Sequence, residues 1–536
     1  MSKPSHLLCS YERFWSSSNT TVAKCASMTA GQCSDLQSIL DYFSFYWCNL
    51  DGNFAAIFFL ILFFLPVLFK ALSNIRNEAL FPSTLYLLEW FKCPKIIASL
   101  VVLPFFNISI EFFLMIAAAG NTFADSYNFS LIYAENLIFL GLIMPGFMLY
   151  YSIVVEINGA SFIRDIGFFI LSTLYWIFVG GIASTITMTH GLIYISFYLV
   201  YLMFVAYQSK KITYKTDDQA SHNSEFEDLP QNSEPDPSKY HKLKDYDPTN
   251  AYKFLQYQRE YLDRGVGMFF IYQNDLLRNF LSGTTWFDII ELPFVFFRKL
   301  TIPPADPAKY TKLDMLLWPI PGIFFLAWGI FGTPSYYWFY IIAPICVVVL
   351  IFVLLTTPET EVPGYYPVVQ LIAWGCSIIW MFRLSQMMID TLQFVSIFTN
   401  LSHNFFAFFL LAKVLSFQVI IPAFELSRKG EKLDILFSST LFSQVFALLL
   451  GIGLSNLTQI AEFGLITFPL FDRGNVILSL LILGTLVGSV LFAGLLIWKE
   501  GYRIEKKLAQ GMIGGGGLIA LGALIAGIVL ASTNKK

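Results

Sequence analysis

Between Leu103 and Phe113 the chain reads LPFFNISIEFF, which sets Asn107 and Glu111 one helical turn apart inside a long apolar segment. An ionised carboxylate at bilayer depth is costly unless a cation, a polar partner or water meets it, so such a residue marks a site by default. The second half of the chain offers further polar candidates in apolar surroundings: Lys413, Ser416 and Gln418 in one segment, and Asp390 in another. Lys413 is open to two readings. It can pair with Glu111 as a fixed cation, or the two can face separate wet or interfacial pockets. Asp390 stands seven residues after Arg383, and the two read as an ion pair solvating a cavity.

Elements able to hold these residues follow from composition. Of 536 residues 56% are hydrophobic, 17% aromatic and only 13% charged, with a mean hydropathy of +0.62. Such a chain is an integral membrane protein whose first partner is the lipid bilayer. A net charge of −3 over this length argues against nucleic-acid binding. The five histidines lack metal-ligand spacing. Nothing resembles a nucleophile with its base, a hydrolytic metal centre or a nucleotide site, so neither an enzyme nor a cofactor is expected. The GMIGGGG run from Gly511 has no following Lys and opens an apolar segment, which suits close helix packing rather than phosphate binding.

Apolar segments long enough to span predict an all-α polytopic protein of about twelve transmembrane helices. Five fall in the first half: Phe54 to Phe91, Ile96 to Ala119, Leu131 to Ile157, Phe162 to Ile182 and Ile186 to Tyr207. Seven follow: Leu316 to Phe331, Tyr337 to Leu355, Pro367 to Phe398, Asn404 to Phe424, Leu436 to Ser455, Ile477 to Ile497 and Met512 to Leu530. The first and eighth are too long to be straight, and Pro82 and the group Arg383, Gln386 and Asp390 predict where they bend or meet a wet cavity. The organisation expected is an N-terminal non-cytosolic segment 1–52, a first repeat 53–207, a linker 208–314, two additional spans in 315–356 and a second repeat 357–536. Gln208 to Pro248 is polar enough for disorder. From Ala251 to Lys299 aromatic residues return among charges, as in interfacial helices, and Tyr252 to Phe297 is the expected partner-facing surface.

Five spans, a linker and a closing set of five fit an inverted repeat, because an odd number of spans turns the second copy upside down. Lysine and arginine collect in alternate loops (Lys92, Lys95, Arg164, Lys210, Lys211, Arg428, Lys429, Lys506 and Lys507), whereas GNTFADSYN, TMTHG, TPSYY and TNLSH carry none. Both termini are therefore expected outside and the linker inside. Cys9, Cys25, Cys33 and Cys48 suit a disulfide-bearing outer segment of unassignable pairing, with free buried thiols the alternative. Met1 to Asp51 lacks a cleavable signal and is too poor in Arg for a transit peptide.

Four stretches resemble the cation/calcium exchanger superfamily, most closely its mitochondrial-type sodium/calcium (lithium) exchanger branch. They are FSFYWCNLD with Cys48, FIRDIGFF with Arg164 and Asp165, RKLTIPPADP from Arg298 to Pro307, and LLLGIGLS from Leu448 to Ser455. The family's first ion-site pattern, LAFGNGAPD, falls on Leu103 to Glu111, so Asn107 and Glu111 keep its ligand chemistry. Phe106, Ile108 and Ile110 replace the residues that would open the helix. The second pattern, LAWGNSIGD, falls on Leu411 to Val419, with Lys413 at the tryptophan, Leu415 at the asparagine, Gln418 at the second glycine and Val419 at the aspartate. The family's AsnGlu pair in the preceding span is matched by Gln386 and Met387, and its asparagine before LLLGIGLS by Ala447.

Calcium wants six to eight oxygen ligands with formal negative charge among them. Glu111, Asn107, Ser416 and Gln418 supply too few, and Lys413 would repel a divalent cation. The resemblance thus implies a pseudo-exchanger, a structural or accessory subunit of a larger membrane complex in the mitochondrial inner membrane, with both termini off the matrix side. The alternative is an active antiporter of Na+, Ca2+ or H+ centred on Glu111.

Overall fold

In the computed structural model the described residues are 45–50, 53, 55–93, 105–106, 108–121, 124–151, 155–157, 159–220, 286–305, 312–332, 336–358, 362–399, 401–413, 415, 441–471, 475–498 and 502–533. They are overwhelmingly helical, and seven helices are long and apolar enough to cross a membrane. The main elements are α1 (55–90), α2 (Ser109–Ala118), α3 (124–151), β1 (Val155–Glu156), α4 (Gly159–Ala183), β2 (Thr185–Ile186) and α5 (Met188–Ala220). After the linker come α6 (Trp286–Thr301), α7 (Pro319–Phe331), α8 (Tyr336–Thr356), α9 (Tyr366–Thr399), α10 (403–413) and α11 (Leu441–Phe463). The chain closes with β3 (Ile466–Thr467), α12 (Val476–Trp498), β4 (Arg503–Ile504) and α13 (Lys506–Thr533).

Proline shapes the long helices. Each of three wide π-type turns, Leu60–Phe64, Arg76–Leu80 and Phe139–Ile143, runs into a proline within two residues, Pro66, Pro82 and Pro145. A proline offers no N–H and crowds the carbonyl one turn back, and a wider turn relieves both. Next to Pro82 two hydroxyls add bonds to carbonyls of the preceding turn: Ser83 Oγ donates to Ala79 O at 2.7 Å, and Thr84 Oγ1 to Leu80 O at 2.7 Å. The result is a long, twice-widened α1 that carries Arg76 inward at the start of its second wide turn.

Two short antiparallel ladders fix the architecture. Val155 and Glu156 pair with Ile504 and Arg503, while Thr185 and Ile186 pair with Thr467 and Ile466. Because α4 runs from β1 to β2, the ladders cap opposite ends of the bundle, and α3 and α11 run in opposite directions. These two are the interior helices, buried along most of their length, with α12 and α13 more exposed around them. α9 packs along α1 and α2.

Motif residues serve as ties. Arg164 Nε donates to Asp165 Oδ1 at 2.6 Å, Tyr201 Oη donates to the same atom at 2.8 Å, and the guanidinium lies 5.8 Å from the Phe442 ring centroid, joining α4, α5 and α11. Following α6, Pro304 O accepts from Tyr366 Oη at 2.9 Å and Gln370 Nε2 at 3.0 Å. Cys48 is disulfide-bonded, the first of the two alternatives the sequence left open, and Cys93, Cys346 and Cys376 are free.

Two boundaries differ from the sequence expectation. The third helix begins at Ala124 rather than Leu131, and α11 continues past Ser455 to Phe463. Asp125, Asn128, Asn456 and Gln459, which look like loop residues, are buried within these helices because their polar groups face one another. α5 also continues into the polar linker as far as Ala220, and 221–285, with most of the expected disorder and interfacial helices, lies outside the described residues.

Candidate functional site

Glu111 lies in the first turn of α2, where backbone N–H groups not used within the helix favour negative charge, and is 2% exposed. Two titratable partners reach it from other helices. Arg76, 5% exposed on α1, attracts it electrostatically, and Glu135, 3% exposed on α3, meets its carboxyl at hydrogen-bonding range. Glu135 is also within hydrogen-bonding range of Gln444 of α11, whose Oε1 accepts from Asn136 Nδ2 at 3.0 Å. Four helices therefore contribute to one cluster.

Its chemistry is set by counting. A hydrogen bond between two carboxyl groups requires one of them to carry its proton, since an ionised carboxylate only accepts. The pair so bonded holds at most one negative charge, which the single positive charge of Arg76 can offset with no external ion. Rings of Phe81, Phe105, Phe106, Phe112, Phe113 and Phe446 pack around the start of α2, with Phe81 and Phe106 centroids 4.9 Å apart and Phe105 and Phe446 6.5 Å apart. These side chains fill the volume that an opened helix with bare backbone carbonyls would need.

A seam of polar contacts continues along α3 and α11 away from this cluster. Asn128 Nδ2 donates to Ser455 Oγ at 2.8 Å and to Met115 O at 3.3 Å, and Ser455 Oγ donates to Met115 O at 3.0 Å. One turn further, the Asn456 amide nitrogen, turned toward Asp125, donates to its Oδ1 at 2.8 Å. Gln459 Nε2 donates to Asn121 O at 3.2 Å.

Of the residues singled out by sequence, Glu111 and Asp390 are on helices facing the interior to different degrees: Glu111 is buried and Asp390 half-buried on α9. Lys413 is exposed, its Nζ 4.3 Å from the Phe409 ring centroid, so Glu111 and Lys413 occupy separate surroundings and the fixed cation beside Glu111 is Arg76. Arg383 donates to Gln386 Oε1 at 3.0 Å and lies over the Trp328 ring. Asn107, Ser416 and Gln418 lie outside the described residues. Arg76, Asp125, Asn128, Glu135, Asn136, Gln444, Asn456 and Gln459 escaped the sequence reading. Arg76 and Glu135 stood in predicted spans, where any ionisable residue is a candidate.

Among the described residues no group of three His, Cys, Asp or Glu side chains could hold a metal ion. No family model, curated protein or solved structure matches the chain.

Proposed function

We propose that this chain is a pseudo-exchanger: a multi-pass membrane protein of about twelve spans, built on two inverted five-helix repeats, that does not transport calcium and serves as a structural or accessory subunit of a larger membrane complex. The observation that supports the reading is that Arg76, buried on α1, attracts Glu111 electrostatically, while Glu135 comes within hydrogen-bonding range of the same carboxyl. A resident guanidinium already neutralises the acid pair. Even with both carboxyls ionised the cluster would hold a single net negative charge against the two positive charges of calcium, in a low-dielectric interior.

Support for the inverted repeat comes from the ladders. Within α3-β1-α4-β2-α5 and α11-β3-α12-β4-α13, β1 corresponds to β3 and β2 to β4, so a two-fold exchange of the halves turns the β1–β4 pair into the β3–β2 pair. The opposed directions of α3 and α11 agree with it. Arg164, Arg503, Lys506 and Lys507 gather at the β1–β4 end, which supports the reading of that end as the inner side, with both termini outside. The disulfide at Cys48 fits an oxidising outer compartment. The exposed Leu292, Phe296 and Phe297 of α6 fit a partner-facing surface. A location in the mitochondrial inner membrane rests on the family resemblance alone.

A second reading, a proton or monovalent-cation antiporter, is favoured by the shared proton of the Glu111–Glu135 pair, which a transport cycle could release. Flux measurements on liposomes carrying the purified protein separate the two. Calcium, sodium and proton flux no greater than in empty liposomes, from protein that elutes as a folded species, is the expected result. Flux that disappears in Glu111→Gln would overturn the proposal.

A further inference from the structure

The outer end of the polar seam is independent of the acid pair, lying ten residues and about 15 Å along α3 from Glu135. We propose that it is a binding site for one small monovalent cation, sodium in the first instance, with Asp125, Asn128 and Gln459 as ligands. The three residues are 4%, 1% and 1% exposed, and among the described residues Asp125 Oδ2, Asn128 Oδ1 and Gln459 Oε1 each lack a hydrogen-bond donor. Their orientation is pinned from behind. Asn128 spends its amide N–H groups on Ser455 and Met115, Gln459 donates to Asn121 O, and Asp125 accepts Asn456 on its other oxygen. Three buried oxygens are thus left as acceptors within adjacent turns of two facing helices.

A buried acceptor without a donor is destabilising, so three together call for an occupant. A proton on Asp125 would serve one of the other two oxygens and leave the third. One cation serves all three, and Asn121 O and Ser455 Oγ stand beside them as further neutral oxygens. Charge sets the class of ion. Asp125 is the one ionisable side chain of the three ligands, so the site supplies at most one negative charge and suits one positive one. Entry is from the turn after α2, where Gly120 is exposed and the exposed carboxylate of Glu462 lies alongside it. Such an ion would hold α3 to α11 as a resident counter-ion, so the proposal does not depend on transport.

The test is equilibrium binding of radioactive sodium to the full-length protein in detergent, at constant ionic strength in choline chloride, with unlabelled Na+, Li+ and K+ as competitors. Saturable binding displaced by unlabelled sodium is expected, at least about tenfold weaker in Asp125→Asn, a loss of about 1.4 kcal/mol or more. Gln459→Met, which keeps the volume and removes the oxygen, should also weaken it and decides the matter if Asp125→Asn fails to fold. Glu111→Gln should leave it unchanged. Absence of saturable binding to folded wild-type protein, as for a site holding only water or a proton, would overturn the proposal. So would binding that survives both outer-site substitutions, or that is lost in Glu111→Gln.

Discussion

Replacing Arg76 by Met keeps most of the side-chain volume and removes the charge that balances the Glu111–Glu135 pair. Arg76, Glu111 and Glu135 are all at most 5% exposed, so the discount applied to surface ion pairs does not apply. Breaking a buried pair from one side costs about 3–5 kcal/mol, because the surviving charge has no partner. The folded variant can escape only by taking up a second proton on the pair. The unfolded chain, with both carboxyls solvated, binds fewer protons near neutrality, and stability falls with rising pH wherever the folded state holds the excess. Arg76→Met should therefore lose about 3–5 kcal/mol near pH 7 and recover part of it on acidification. Adding Glu111→Gln and Glu135→Gln to Arg76→Met removes the orphaned charge and should restore most of the loss, while Glu111→Gln alone, isosteric with the protonated acid, should be mild. Unfolding in mixed micelles of dodecyl maltoside and dodecyl sulfate, followed by tryptophan fluorescence at several pH values, reads all four proteins. A loss below about 1 kcal/mol in Arg76→Met, typical of a solvated charge, would refute the argument. So would failure of the triple variant to recover.

Other consequences are simpler to check. A Cβ at Gly516 would sit 3.0 Å from Gly141 O and 3.2 Å from Gly141 Cα, whereas Gly517 faces open space; Gly516→Val should cost about 1–3 kcal/mol and Gly517→Ala almost nothing in the same unfolding assay. Where α6 docks on α1, Glu291 bonds Lys70 Nζ at 3.0 Å and Asn74 Nδ2 at 2.5 Å with its side chain 4% exposed, while Arg298 meets a Glu78 that is 47% exposed. Glu291→Ala should thus cost about 1–3 kcal/mol and Glu78→Ala under about 1, measured by chemical unfolding. Cys93, partly exposed after α1, should react with a membrane-impermeant maleimide from the same side as a cysteine introduced at Lys506, while buried Cys346 and Cys376 stay unlabelled; reaction from the opposite side would reverse the proposed topology.

Helices were legible in the sequence wherever apolar runs were long, and α4, α8, α9 and α12 begin and end within about three residues of their predicted limits. The ends of α3 and α11 were not. Hydropathy counts Asp125, Asn128 and Gln459 as loop residues, and only the pairing of two polar faces, contributed by segments more than three hundred residues apart, makes their burial tolerable. Glu111 could be recognised because its cost is local. Its electrostatic partner could not, because spacing in the sequence does not say which span comes to face Glu111, and Arg76 lies in one marked chiefly by its length and its proline.

The place of that cation has a physical origin. Lys413 lies about three hundred residues after Glu111 in the sequence, but the fold brings a cation to Glu111 from the first helix, through the wide turn ahead of Pro82. The turn at Arg76–Leu80 is where α1 can carry an arginine and, two residues on, Glu78, which faces partly into solvent and meets Arg298 of α6. One turn thus serves the interior charge balance and the docking of the linker's end. A change that straightened it, such as Pro82→Ala, would be felt at the acid pair and at α6 together, which no list of ligand positions would anticipate.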